Sequence, residues 1–430
     1  MATAAIVGDE NGLLKLVDIN NEGAYTSYGE QSRENSVTGL CWQDQDAAFW
    51  SSKTDGSCEL WRVADSALTC AASVQLNFSP AGIVRCVDRN TGVVCYSSTG
   101  DIQILKLKKS GNGISSKASY HSNPTGHLTE AGKGTYDISD CRSCSDGIGF
   151  GGKENDLQLM DLATGAVVWK ARNVANDFLS LRQPIFVNRL AFLHPETDSV
   201  SSGALVVVGT GHKQVRLYDT RVSSTKKPIV NLEVGDYRVS GLVCESTGAG
   251  ATDVKVGVGD TAGNMTIWDL SLGRRLWTLD GGNSSVRDMQ FAPQEVVVEG
   301  GGDDVAGVNA GVLCSIGLDR RLRVFNLEKR KLLRNVYLKS RPSRMLLFSK
   351  SCSGNVSFAS CDSDNDDGSD DESEVYDGDE DRFSEYEDSD DLNSGSESED
   401  DLDRGLRAGE SDHEGEEQQR KGKDKRQRTN

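Results

Sequence analysis

The sequence has no run of about 18 apolar residues, the length that a helix needs to span a bilayer. Its first ten residues, MATAAIVGDE, also lack the longer apolar stretch of a secretory signal peptide. The chain has eleven cysteines, an odd number scattered along its length, which is typical of buried thiols in a reducing compartment. We therefore expect a soluble, intracellular protein that does not bind a membrane.

Patterns for metal or catalytic chemistry are also scarce. Cys141 and Cys144 form the one close cysteine pair, but no second pair or histidine stands at ligand spacing, so no zinc site is predicted. The stretch GHLTEAGKG, Gly126 to Gly134, resembles a phosphate-binding loop, but it has one residue too many between its glycines and lacks the final Ser or Thr. The five histidines show no arrangement with a nucleophile; they are His121, His127, His194, His212 and His413. We expect no enzymatic activity, no cofactor and no small-molecule substrate.

What the sequence contains is a repeated unit. Seven segments each show two short strands joined by a turn rich in Asp, Gly, Asn and Lys, as in VVVGTGHKQVRLYDTR, Val206 to Arg221. Aligning the segments places one apolar residue of each second strand in register: Val17, Trp61, Leu105, Met160, Tyr218, Trp268 and Phe325. These residues lie 44 to 58 positions apart, the period of a four-stranded propeller blade lengthened by loops. TIWDL, ending at Leu270, is close to the WD signature. The sequence predicts an all-β, seven-bladed WD-repeat β-propeller over residues 1–350.

The order of the strands also predicts how the ring closes. The first segment, ATAAIVGD, reads as the second strand of a blade, so blade 1 lacks its innermost strand at this end of the chain. The last apolar stretch before the tail is RMLLFSK, Arg344 to Lys350. We expect this C-terminal strand to complete blade 1, which removes an exposed sheet edge.

Charge is divided unevenly along the chain. Residues 1–361 contain 38 basic and 38 acidic side chains, whereas residues 362–430 contain 9 basic and 28 acidic ones. The whole net charge of −19 therefore lies in the tail, which has few apolar residues and is expected to be disordered. We divide the chain after residue 350 into an acidic Ser/Asp/Glu segment, residues 351–403, and a charged tail, residues 404–430, both expected to be disordered.

Two kinds of site are predicted in this tail. The basic run RKGKDKRQR favours nuclear targeting or nucleic-acid contact through Arg420, Lys421, Lys423, Lys425, Arg426 and Arg428. Several serines of the acidic segment have an acidic residue three positions on, which suits phosphorylation by an acid-directed kinase of the casein kinase two sort. The predicted sites are Ser363, Ser369, Ser384, Ser394, Ser396 and Ser398.

Two blades carry basic turns. In GTGHKQVR, His212 and Lys213 lie in the turn, and strand alternation predicts that Arg216 faces outward. Blade 7 has the counterpart GLDRRLRVF. The two turns predict a basic patch on one rim, suited to phosphate or acidic partners. The predicted interaction rim comprises His212, Lys213, Arg216, Arg221, Arg320, Arg321 and Arg323.

These motifs also carry a family resemblance. VGTGHKQVRLYDTR, the basic-Pro stretch Lys226-Lys227-Pro228, GLDRRLRVFN and the basic tail together resemble the nucleolar WD-repeat assembly factors of the large ribosomal subunit. The resemblance covers the whole propeller. It implies a non-enzymatic scaffold for pre-rRNA processing in the nucleus and nucleolus, which binds assembly-factor proteins and pre-ribosomal RNA on the large-subunit pre-ribosome. It also implies release by an AAA-type ATPase.

Two alternatives stay open at the level of sequence. The ending Tyr218-Asp219-Thr220-Arg221 resembles the box by which some WD-repeat substrate receptors dock to a cullin-based ubiquitin ligase. The acidic segment, taken alone, is also compatible with a histone-binding chaperone propeller. The role of that segment, the RNA contacted and the partners on each rim are not specified by the sequence.

Overall fold

The computed structural model describes residues 4–19, 25–44, 47–64, 67–86, 92–108, 114–121, 137–176, 178–222, 226–246, 254–279, 281–292, 298–299, 305–306 and 311–347. The features predicted in the tail, which are the acidic segment, the basic run and the six serines, lie outside these residues, as does the stretch Gly126 to Gly134. Within the described residues, no helix is long and apolar enough to cross a membrane.

Seven four-stranded antiparallel sheets form the blades, and we number the strands in chain order. Blade 1 contains β1 (Ala4–Asp9), β2 (Leu14–Asp18), β3 (Tyr25–Tyr28) and β30 (Pro342–Leu347). Blade 2 contains β4 (Val37–Asp44), β5 (Ala48–Lys53), β6 (Ser57–Ala64) and β7 (Ala67–Gln75). Blade 3 contains β8 (Gly82–Arg85), β9 (Gly92–Tyr96), β10 (Asp101–Leu107) and β11 (Ile114–His121). Blade 4 contains β12 (Asp140–Ser143), β13 (Gly147–Gly152), β14 (Asn155–Asp161) and β15 (Val167–Lys170).

The second half of the ring repeats this order. Blade 5 contains β16 (Val187–Phe192), β17 (Leu205–Thr210), β18 (Gln214–Asp219) and β19 (Val230–Glu233). Blade 6 contains β20 (Val239–Ser246), β21 (Val254–Asp260), β22 (Met265–Asp269) and β23 (Arg274–Leu279). Blade 7 contains β24 (Val286–Phe291), β27 (Val312–Gly317), β28 (Arg321–Asn326) and β29 (Lys331–Tyr337), while β25 (Val298–Glu299) and β26 (Val305–Ala306) form a small separate hairpin.

The innermost strands close the ring. The strands β4, β8, β12, β16, β20, β24 and β30 contact one another in a complete cycle. They also line a central cavity of about 390 Å³. The predicted seven-bladed all-β propeller is therefore confirmed.

The predicted closing strand is present in blade 1. The strand β30 pairs antiparallel with β1, with Ala5 opposite Leu347 and Val7 opposite Met345. It begins at Pro342, two residues before the predicted start, and positions 348–350 lie outside the described part of the chain. The two ends of the propeller are thus joined within one sheet.

The aligned apolar residues occupy equivalent places in the blades. Each lies in a third strand, directly opposite a residue of the second strand, as Tyr218 lies opposite Val206. In five blades the pairing with the outer strand shifts by one residue immediately before this position, at Trp61, Leu105, Met160, Trp268 and Phe325. The repeat therefore records a recurrent β-bulge as well as a buried side chain.

The hydrophobic core lies between blades. One cluster, for example, joins Met265 and Ile267 of blade 6 to Leu313 and Phe325 of blade 7. Because each blade is covered by a neighbour on both faces, the middle strands are buried along almost their whole length, and all six residues of β17 are buried.

Candidate nucleic-acid interface on the turn-side rim

One rim of the ring carries the turn between the second and third strands of every blade, together with the connections from each blade to the next. We call it the turn-side rim. The placement of these turns and connections on one rim follows from the antiparallel order of the strands, because successive connections alternate between the two ends of a sheet. In all seven blades this turn contains one residue with positive φ: Gly12, Gly56, Gly100, Glu154, Lys213, Gly263 and Arg320.

Lys213 and Arg320 occupy this glycine position in blades 5 and 7, with φ of 66° and 63°. A side chain in this conformation costs on the order of 1–2 kcal/mol, because Cβ approaches the following carbonyl. Both residues also fix the next connection, since their carbonyl groups accept hydrogen bonds from Val234 N (2.9 Å) and Leu338 N (2.7 Å). The two cations are thus held at strained positions of rigid turns. His212, beside Lys213, is exposed.

Blade 7 surrounds an exposed tyrosine with two arginines. Arg320 Nη1 lies 3.5 Å from the hydroxyl oxygen of Tyr337 and 3.3 Å from the carbonyl oxygen of Lys339. The guanidinium of Arg321 lies over the ring of Tyr337, 5.9 Å from its centroid. Tyr337 is 47% exposed. Guanidinium groups bind phosphate oxygens, and an exposed aromatic ring can stack on an unpaired base, so this cluster suits single-stranded RNA.

Further cations lie in the connections between blades. Lys339, also at positive φ (61°), and Arg341 follow β29, and Arg238 precedes β20; all three are exposed. These three cations were not predicted from the sequence because connections lack the repeating pattern of the blades. We define the basic sector as Lys213, Arg238, Arg287, Arg320, Arg321, Lys339 and Arg341.

Acidic residues partly neutralise this sector, and Asp236, two residues before Arg238, is exposed. Glu10, in the turn of blade 1, pairs with Arg287 at 2.9 Å and lies 3.8 Å from Arg341. Blade 6 separates the two basic turns, and its own turn, residues 261–264, has the uncharged sequence TAGN. The predicted basic turns therefore share one rim, as two areas rather than one continuous cluster.

Arginines also reach the inner end of this rim. Arg189 of β16 donates from Nη1 to the carbonyl oxygen of Asn188 (2.9 Å) and from Nη2 to that of Arg287 in blade 7 (3.4 Å). Burial, and then the nearby charge of Arg344, lower the pKa of Arg189 to about 10. The group stays charged at neutral pH, so it adds to the positive potential of the rim.

The prediction that Arg216 faces outward is wrong. Arg216 is 3% exposed, and its guanidinium donates hydrogen bonds to Gln214 Oε1 (2.9 Å) and Asn231 Oδ1 (3.2 Å). Outward orientation assumes that one face of the sheet meets water, whereas β18 is covered by blades on both faces. Arg323 is also buried, at 8% exposure, and forms an ion pair with Asp319. Neither residue belongs to an accessible interface.

Arg221 lies on the opposite rim, in the loop from β18 to β19. Its Nη2 pairs with Asp219 Oδ2 at 2.7 Å, and this hydrogen-bonded guanidinium holds the pKa of Asp219 below its ordinary value. Tyr218 is 1% exposed and packs edge-on against Trp169, with ring centroids 6.0 Å apart. Of the Tyr218-Asp219-Thr220-Arg221 box, the aromatic residue is therefore a core residue of the blade.

The cysteine pair lies in the core. Cys141 and Cys144 are 1% and 0% exposed, and burial raises the pKa of Cys144 to about 11. Across the described ranges, no group of three or more His, Cys, Asp or Glu residues could hold a metal ion. His194 lies on the rim opposite the basic turns, and His127 and His413 fall outside the described residues.

Comparison with known proteins finds relatives named for WD repeats and for ribosome biogenesis. The chain is 28% identical over 373 residues to WD repeat-containing protein 74 of Homo sapiens, covering 79% of this chain and 80% of that protein. The Mus musculus protein of the same name is 28% identical, covering 81% of this chain and 83% of that protein. Ribosome biogenesis protein NSA1 of Eremothecium gossypii is 30% identical over 213 residues, covering 46% and 45% of the two chains. No family model matches the chain. The predicted resemblance is confirmed: this chain is a seven-bladed β-propeller similar to WD repeat-containing protein 74 and, over about half of its length, to a ribosome biogenesis protein.

Proposed function

We propose that this protein is a non-enzymatic scaffold in the assembly of the large ribosomal subunit, and that its turn-side rim holds pre-ribosomal RNA. The observation that carries the proposal is the placement of Lys213 and Arg320 in the position that is glycine in four other blades. Folding alone favours glycine there, so the strained cations point to a role in binding. The relatives named as ribosome biogenesis proteins support the same process.

The geometry suits an RNA backbone better than a small ligand. The cations lie in turns and connections of several blades, whereas small-molecule sites are concave and mostly apolar. Contacts to phosphate position a nucleic acid without reading its sequence, which fits a scaffold that holds a folding RNA. Tyr337 adds a stacking surface beside Arg320 and Arg321.

Location and release belong to the same proposal. A scaffold of this kind acts in the nucleus and nucleolus during pre-rRNA processing, beside assembly-factor proteins on the large-subunit pre-ribosome. It would leave that particle through an AAA-type ATPase. The resemblance to the nucleolar assembly factors supports these steps.

Charge reversal on the rim tests the proposal. Replacing Lys213, Arg320 and Arg321 with glutamate should release the full chain from large-subunit precursors in a sucrose gradient, because phosphate contacts depend on charge. The matched control carries the same three reversals at exposed cations of the opposite rim: Arg274, Lys329 and Arg330. Each surface change should alter the free energy of unfolding by no more than about 0.5 kcal/mol.

The outcome separates the proposal from its alternatives. If the rim variant keeps its fold and still sediments with the precursors as the control does, the turns do not bind RNA. Arg221→Ala should leave sedimentation unchanged, since Arg221 lies on the other rim, whereas a ligase receptor would lose its adaptor through that change.

A further inference from the structure

The connection between blades 4 and 5 exposes three large apolar side chains within four residues. Phe178 is 94% exposed, Leu179 63% and Leu181 60%. Scattered exposed apolar residues are common on soluble proteins, but a contiguous group marks an interaction surface. We call residues 178–181 the apolar finger.

The finger is held by its own loop. The side-chain amide of Asn173 donates to the carbonyl oxygen of Gln183 (2.6 Å), and that of Asn176 donates to the carbonyl oxygen of Ser180 (3.0 Å). Ser180 has φ of +61°, a conformation that a residue other than glycine adopts only when the surrounding contacts impose it. These contacts order Ser180 and the residues that flank the apolar finger, which lowers the entropy lost on binding.

The loop belongs to the turn-side rim. Arg182 pairs with Glu154 in the turn of blade 4 at 2.9 Å. The carbonyl oxygen of Phe186 accepts a hydrogen bond from Gly211 N (2.8 Å), and its ring contacts His212 edge-on, with centroids 6.3 Å apart. The loop that carries the apolar finger thus contacts the basic turn of blade 5.

From this arrangement we propose that the apolar finger is a docking site for a protein partner that offers an apolar pocket bordered by acidic side chains. Two of the three side chains are leucines, which cannot stack on bases, so the finger fits protein better than RNA. Cations outnumber acids around it: Arg172 and Lys153 are exposed, and Arg238 lies over the ring of Phe186, 5.7 Å from its centroid. The acids are Glu154, which pairs with Arg182, and Asp177, which precedes the finger in the sequence. A partner that buries the finger must therefore carry acidic groups at the edge of its pocket. The inference extends the proposed function by a protein contact beside the RNA contact.

Site-specific cross-linking tests this docking. Phe178 is replaced by a benzophenone analogue of phenylalanine in the full chain, and the cells are irradiated. The expected adduct resists ribonuclease and maps to one peptide of another protein with acidic residues around an apolar cluster. It should persist in the variant with glutamate at Lys213, Arg320 and Arg321, which separates this inference from the RNA proposal.

A matched pair of variants decides whether the contact contributes to binding. Leu179→Ser with Leu181→Ser should lower recovery of the cross-linked partner at least about tenfold, as expected for apolar side chains at the centre of an interface. The control, Val222→Ser with Leu272→Ser, changes residues of 46% and 62% exposure on the opposite rim and should not change recovery. Both variants should melt as the original protein does. An adduct removed by ribonuclease, an adduct to a second copy of this chain, or equal recovery with both variants would overturn the proposal.

Discussion

Lys213 and Arg320 offer a test in which stability and binding should change in opposite directions. Replacing both with glycine restores the residue found at this turn position in blades 1, 2, 3 and 6. The hydrogen bonds that anchor the neighbouring connections use the carbonyl groups of these residues, so they remain in the variant. What is lost is the two positive charges and the weak contacts of Arg320 with Tyr337 and Lys339.

The magnitudes follow from the turn geometry. Removing Cβ from a residue at φ near +65° should recover on the order of 1–2 kcal/mol. The added freedom of glycine in the unfolded chain costs roughly 0.5–1 kcal/mol. The net gain is about 0.5–1 kcal/mol for each site, so the double variant should melt about 2 °C higher.

Binding should weaken over the same change. Each lost phosphate contact to a single strand reduces the slope of log K against log salt by about 0.7, so two contacts correspond to about 1.4. Calorimetry gives the melting temperature, and fluorescence anisotropy with a labelled single-stranded RNA, measured over a range of salt, gives the slope. A melting temperature several degrees lower would refute the argument from strain. An unchanged affinity and slope would refute the assignment of these cations to RNA.

Three further outcomes can be measured directly. Removing residues 342–430 should prevent cooperative folding, because it deletes β30 with the buried Met345, Leu346 and Leu347. Burial of each of these side chains contributes roughly 1.5–3 kcal/mol to the free energy of unfolding. Removing only residues 362–430 should leave thermal melting unchanged. Burial acts to raise the pKa of Asp146, but hydrogen bonds from Ser199 Oγ (2.6 Å) and three further donors lower it overall. The contribution of Asp146 to the free energy of unfolding should therefore be complete at neutral pH and disappear as the pH falls below about 4. Asp146→Asn should remove this part of the pH dependence in denaturant titrations. Replacing the basic residues of the tail with alanine should reduce nuclear accumulation of a fluorescent fusion without changing its solubility, and an unchanged distribution would contradict nuclear targeting by Lys421, Lys423, Lys425, Arg426 and Arg428.

The architecture was predictable because every blade repeats the same pattern of a second strand, a turn and a third strand. Each third strand places an apolar residue at nearly the same distance from its turn, and the aligned residues, from Val17 to Phe325, record that constraint in the sequence. The closing strand was predictable for a related reason. The strand β1 needs a partner on its inner edge, and the apolar segment around Met345 supplies it.

The buried arginines were not predictable from alternation. Alternation assigns every second residue of a strand to water, which holds for a sheet with one covered face. Arg216 and Arg323 lie in strands covered on both faces, where their guanidinium groups meet Gln214 and Asp319. The signal that could have identified them is the continuous apolar second strand beside each, because a run such as LVVV in β17 indicates burial on both faces.

Burial on both faces also determines where this fold can bind a partner. The middle strands are occupied by packing between blades, so binding residues must lie in turns, connections or outer strands. Turns repeat with the blades, and a departure from glycine at the repeated position is readable in the sequence, as at Lys213. Connections do not repeat from blade to blade, so no position in them can be compared with its counterparts. For this reason Arg341 and Phe178 were identified only in the structure. The two proposals use these different parts of one rim: strained cations in the turns for RNA, and an apolar finger in a connection for protein. A scaffold that must hold RNA and protein together gains from placing both contacts on one rigid rim, since neither surface then moves relative to the other.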